Sequence, residues 1–153
     1  MQEERQDIEE LLSKGNSIQI KPQGYSMYPV LIPGRDEVII EPVNISNLKR
    51  GDVILYRREG ESVGGILVLH RIWKRTTNGF YMVGDNQTDI EGPLHVEQVK
   101  GIMVGIVRAG KYISVKSIFY RGTTGIWLLL RPMRPVISKT VANMKKIIKG
   151  FCK

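Results

Sequence analysis

Residues 66–83 read ILVLHRIWKRTTNGFYMV, and this stretch decides the fold class. Residues 66–73 form an apolar run rich in strand-forming side chains, and residues 80–83 are apolar again. Asn78 and Gly79 lie between them, and this pair favours a tight hairpin turn because both residues tolerate positive φ. The stretch therefore predicts two antiparallel strands joined by a hairpin.

Further short strand patterns lie on both sides of this hairpin, at residues 17–21, 37–41, 52–57, 100–108 and 112–115. Ala109 and Gly110 separate the last two patterns and predict a second hairpin. No helical pattern separates them, so a mainly β core is predicted. One short helix is expected at the N-terminus. There Ile8, Leu11 and Leu12 share a helical face, and Gly15 provides a stop.

Charged residues are distributed unevenly along the 153-residue chain, which suggests two parts. Residues 1–97 hold 11 Lys/Arg and 15 Asp/Glu, whereas residues 98–153 hold 12 Lys/Arg and no acid. The length suits one domain, which we place at residues 1–115, followed by a basic extension at 116–153. The extension requires either an acidic partner or solvent around its charges.

The extension has the pattern of an amphipathic segment. Its apolar run at 125–130 is far shorter than the roughly 20 residues of a spanning helix. Pro132 and Pro135 interrupt any helix that continues beyond this run, and Ser138 can cap a later helix. We predict that residues 116–153 lie on an anionic membrane surface, because Trp127 and its leucine neighbours suit an interface. Packing on the β core is the plainer alternative, and nucleic acid is disfavoured because no recognised motif is present.

The termini bear on the compartment. Residues 1–14 are acidic and contain no continuous apolar stretch, so they predict neither a secretory signal nor a membrane anchor. Cys152 is the only cysteine, which excludes an intramolecular disulfide. We therefore expect a cytoplasmic protein, associated peripherally with the membrane.

Three sequence boxes carry the candidate chemistry. They are GYSMYP at 24–29, LHRI at 69–72 and GDN at 84–86, the last followed by Asp89 and Glu91. In this order they resemble the conserved boxes of the signal peptidase I family, whose β fold is shared with the LexA-type self-cleaving repressors. The resemblance covers about residues 17–115. It implies a strongly bent antiparallel sheet of that type, here with a short N-terminal helix and a C-terminal helical basic extension.

The resemblance implies a serine nucleophile, Ser26, and a histidine base, His70. A serine hydroxyl is a weak nucleophile at neutral pH and needs a neighbour that accepts its proton. Lysine fills this role in one branch of the family. Histidine at position 70 is similar to the archaeal and endoplasmic-reticulum branch, and its ordinary pKa of about 6.5 already suits a base near pH 7.

A histidine base also needs an acceptor on its other ring nitrogen. Three acids remain open for this role. Asp85 matches the first carboxylate of the histidine branch; for the second, residue type favours Asp89 and spacing favours Glu91. The backbone N–H of Ser26 would serve the oxyanion. Gly24 occupies the position where some members supply a serine hydroxyl, so that donor is missing.

These assignments predict an endopeptidase that cleaves leader or signal segments of peptide or protein precursors through an acyl-enzyme, without metal or cofactor. The alternative is a peptide- or membrane-surface-binding module that keeps the scaffold without hydrolysis. Self-cleavage of the LexA type is disfavoured, because residues 1–16 are too short for a DNA-binding domain. Each residue also has a simpler interpretation, with Ser26 and Asp85 as turn residues and His70 as a core histidine.

Overall fold

The computed structural model describes residues 2–59 and 65–134, with side chains from Ile8 onward. It confirms a mainly β protein, in which eight strands form one antiparallel sheet accompanied by two α-helices. Helix α1 spans Gln2–Ser13 and helix α2 spans Ile118–Leu129. Neither of these helices is long and apolar enough to cross a membrane.

The strands follow the chain from the first helix to the second. They are β1 (Ile18–Ile20), β2 (Asp36–Glu41), β3 (Val53–Arg58), β4 (Ile66–Thr76), β5 (Gly79–Val83), β6 (Glu91–Leu94), β7 (Val99–Arg108) and β8 (Lys111–Ser114). Their order across the sheet is β1-β2-β7-β3-β4-β5-β6, and β8 pairs with β7. Both predicted hairpins are present, as β4–β5 and β7–β8.

Two elements had no clear signal in the sequence. Strand β6 reads EGPL, which lacks apolar alternation and carries a proline, a residue that suits an edge strand. Helix α2 begins after Ser117, whose side chain accepts a hydrogen bond from the Tyr120 N–H. The helix expected after Ser138 lies outside the described residues.

Strand β3 separates two apolar clusters. Val53 and Leu55 belong to one cluster, and Ile54 and Tyr56 belong to the other, because successive strand side chains point to opposite faces. The first cluster also contains Tyr120 of α2. The beginning of the basic extension therefore packs on the same core as the sheet.

Candidate active site

Ser26 and His70 line one groove on the protein surface, with a volume of about 770 Å3. One side of the groove is formed by β1, and the other by the first residues of β4. Its apolar lining includes Met27, Leu31 and Leu55. This volume is in the range of ligand-binding clefts and leaves room for several side chains of a peptide.

The serine lies in the turn that connects β1 to β2. Gly24 has φ +75°, a left-handed conformation that strains other residues, so the turn itself favours glycine at this position. Among the described residues, the backbone N–H of Ser26 has no hydrogen-bond acceptor. It is therefore available to a ligand in the groove.

The loop after β5 contacts the serine turn directly. The Asn86 N–H donates to the Ser26 carbonyl at 2.7 Å. A Cβ at Gly84 would lie 2.6 Å from that same oxygen, which explains the glycine there. The first and third sequence boxes are thus held against each other by their backbones.

Asp85 forms a buried ion pair with Arg71, the neighbour of His70 on β4. Arg71 Nε donates to Asp85 Oδ1 at 2.8 Å, and Arg71 Nη2 donates to Oδ2 at 2.6 Å. Both side chains are almost fully buried. Arg71 Nη1 also donates to the Gly51 carbonyl at 2.8 Å. Asp85 therefore fastens the loop after β5 to β4, and no hydrogen bond joins it to His70 among the described residues.

The two other candidate acids lie in different surroundings. Asp89 is exposed, and its side chain has no hydrogen bond or ion pair within residues 2–59 and 65–134. Glu91 begins β6, and its Oε2 lies 3.8 Å from His70 Nδ1. Of the three acids, Glu91 is the one that has a carboxylate oxygen beside the ring.

A tyrosine hydroxyl stands between Glu91 and the histidine. Tyr56 Oη lies 3.2 Å from His70 Nδ1 and donates to Glu91 Oε2 at 2.8 Å. Arg58 donates to both oxygens of the same carboxylate. Burial would raise the pKa of Glu91, but the hydrogen bonds from Arg58 and Tyr56 outweigh it and hold that pKa below its ordinary value.

His70 is itself buried and neutral at physiological pH. Burial, together with the positive charge of Arg58, lowers the pKa of His70 to about 4, although Glu91 and Asp85 partly oppose this shift. A neutral imidazole can accept a proton, although a pKa this low makes His70 a weaker base than an ordinary histidine. Within the described residues no hydrogen bond joins His70 to Ser26, and the two share only the groove lining.

Tyr56, Arg58 and Arg71 were not recognised from the sequence as parts of the site. Tyr56 and Arg58 are two residues apart on β3, so they point to the same face. Arg71 interrupts an apolar strand, and a buried arginine requires an acid. The sequence thus contains two signals, the shared face of Tyr56 and Arg58 and the position of Arg71 within an apolar strand. It does not identify their partners, which are distant along the chain.

The extension also holds the loop after β5. Trp127 Nε1 donates to the Asp85 carbonyl at 2.7 Å, and Arg134 Nη1 donates to the carbonyls of Gly84 and Gln87 at 2.9 and 2.7 Å. Arg131 donates to the Thr88 carbonyl. Part of the basic charge is therefore used on backbone carbonyls beside the site.

Within the described ranges, no group of three or more His, Cys, Asp or Glu side chains could hold a metal ion. Models of protein families, curated proteins and solved structures contain no match to this chain.

Replacing Asp85 with Asn should lower the free energy of unfolding by about 3–5 kcal/mol, because Arg71 would remain buried beside a neutral partner. Asp89→Asn is the matched control, and should change that free energy by less than about 0.5 kcal/mol. Urea denaturation followed by circular dichroism measures both. Equal effects of the two substitutions would contradict the anchoring role of Asp85.

Proposed function

We propose that this chain is a serine endopeptidase of the signal-peptidase type, with Ser26 as nucleophile and His70 as base. The observation that carries the proposal is that Ser26 and a neutral, buried His70 line the same groove. Further support comes from the contacts among the boxes, since Asn86 holds the Ser26 carbonyl and Asp85 holds Arg71.

In this reaction the Ser26 hydroxyl oxygen attacks the scissile carbonyl carbon, and its proton passes to His70 Nε2. The resulting oxyanion accepts a hydrogen bond from the Ser26 N–H, which is available for this purpose. The protonated His70 then donates to the leaving amine as the peptide bond breaks. Water, deprotonated by His70, hydrolyses the remaining ester and restores the serine.

The groove suits an extended peptide as substrate. Within the described residues, β1 is paired on one edge only, and so is the part of β4 that precedes Arg71. An extended segment placed between these strands can form backbone hydrogen bonds with an open strand edge. Apolar lining residues such as Met27 and Leu55 can contact uncharged side chains of a leader or signal segment, and Lys21, Glu37 and Arg58 add charged groups to the same groove.

The proposal predicts that Ser26→Ala and His70→Ala each reduce cleavage of precursor and leader peptides by at least about 1,000-fold. Ser46→Ala and His95→Ala are matched controls, since both residues are exposed and lie outside the groove lining. Mass spectrometry of a peptide library incubated with each variant measures cleavage. Equal cleavage by all variants would exclude this mechanism. Peptide binding without any cleavage by the wild type would favour the non-hydrolytic alternative.

The pH dependence of cleavage should report the pKa of His70. The base acts when neutral, so kcat/KM should fall on the acid side with a midpoint near the His70 pKa of about 4. An exposed histidine would instead give a midpoint near 6.5. Initial rates between pH 3.5 and 8, with folding checked at each pH, make the test. A midpoint between 6 and 7 would contradict a buried base.

We further propose that the outer face of α2 lies on an anionic membrane surface. Ile118 and Phe119 are 92% and 82% exposed, and Ile126 and Leu129 lie on the same side. A helix whose outward face is apolar is unusual for a protein surface. The nearby residues include exposed Lys116 and Arg121, and residues 98–153 contain no acid. Like charge disfavours self-association through this face and favours anionic lipid.

The double substitution Phe119→Ser with Ile126→Ser should weaken binding to vesicles containing phosphatidylserine by about tenfold or more, through lost apolar insertion. Tyr112→Ser is the matched control, because Tyr112 is an exposed aromatic residue on β8. Vesicle sedimentation with anionic and with neutral lipid measures the affinity. Unchanged binding of the double variant, or equal binding to neutral vesicles, would contradict the proposal.

A further inference from the structure

The hydrogen bonds around His70 determine which of its ring nitrogens carries the proton. Tyr56 is fully buried and has one hydroxyl proton, yet its oxygen contacts both Glu91 Oε2 and His70 Nδ1. One of these contacts must use the proton of the hydroxyl, and the other must use its lone pair.

The ionisation state of Glu91 determines which of the two contacts uses the hydroxyl proton. A carboxylate paired with a guanidinium stays ionised and can only accept hydrogen bonds. Arg58 contacts both oxygens of Glu91, so the hydroxyl proton of Tyr56 points to the carboxylate. The Tyr56 oxygen is left as an acceptor for His70. The proton of the neutral ring therefore sits on Nδ1, and Nε2 keeps its lone pair.

We propose that Tyr56 and Glu91 form a relay that positions His70 and fixes its Nδ1–H tautomer, with Arg58 holding the carboxylate in place. In this arrangement the acid acts on the histidine through a phenol rather than by direct contact. The inference rests on the proposed peptidase function and adds two positioning residues to it. Asp85 and Asp89 have no part in the relay.

The relay also operates after proton transfer. When His70 accepts the serine proton on Nε2, its Nδ1–H continues to donate to Tyr56, whose oxygen is polarised by Glu91. The negative Glu91 carboxylate, 3.8 Å from Nδ1, stabilises the new positive charge on the ring. Arg58 acts in the opposite direction and keeps the ring neutral before the reaction. The site thus stabilises the imidazolium without making His70 a permanent cation.

The tautomer can be measured on the wild-type chain without any substrate. We expect 15N chemical shifts of the His70 ring at pH 7 to show a protonated Nδ1 and an unprotonated Nε2. In Glu91→Gln the side-chain amide can donate to Tyr56, which frees the hydroxyl proton for Nδ1 and moves the ring proton to Nε2. A wild-type ring protonated on Nε2 would overturn the relay.

Kinetics test the positioning role on the peptide that the wild type cleaves. Tyr56→Phe should lower kcat by about 10- to 100-fold and leave KM within twofold, because the ring loses its orientation but the groove is unchanged. Glu91→Gln should lower kcat at least as much, and the double variant should lose much less than the product of the single effects. Tyr81→Phe, on β5 and outside the groove lining, is the matched control.

The outcomes separate this inference from the peptidase itself. If Tyr56→Phe folds and retains full kcat, or if the two substitutions act independently, the relay is wrong. The proposed peptidase function is not contradicted by that result. If no peptide is cleaved but the NMR tautomers match the expectation, the relay exists and the proposed function is wrong. Should Tyr56→Phe fail to fold, the wild-type ring shifts decide the matter.

Discussion

The buried ion pair between Arg71 and Asp85 is the contact on which the arrangement of the site depends. It joins β4, which carries His70, to the loop that holds the Ser26 carbonyl through Asn86. A buried pair of charges is favourable only when its remaining polar atoms also find partners. Here Arg71 has the Gly51 carbonyl as a further partner. The turn that contains Ser26 and the strand that contains His70 are thereby held in one arrangement.

Two of the acids near His70 are each paired with a different arginine. Arg71 engages Asp85, and Arg58 engages Glu91. Because each carboxylate is paired, neither forces a proton onto His70, whose burial favours the neutral form. A histidine that is neutral at rest and close to a fixed carboxylate suits the proposed acyl transfer, in which positive charge would appear on the ring only as the reaction proceeds.

Helix α2, which belongs to the basic extension, has one face packed against the protein and one face exposed. Its inner face adds Tyr120 and Leu128 to the buried residues, and Trp127 bonds the loop of the site. Its outer face remains apolar. Contact between this face and a lipid surface would therefore act on an element that also supports the Gly84–Thr88 backbone. Tyr120, which lies beyond the division drawn from charge at residue 116, belongs to the same apolar cluster as residues of the sheet.

The sequence alone determined the class of fold, because alternating apolar runs and Asn-Gly or Ala-Gly turns act over a few residues. It also singled out Ser26 and His70, through boxes whose order resembles a known family. Only the tertiary structure decided what each acid does. Asp85, Asp89 and Glu91 lie within seven residues, yet one is buried on Arg71, one is exposed and one approaches His70 through Tyr56. Those differences arise from partners on β3 and β4, which local sequence patterns do not encode.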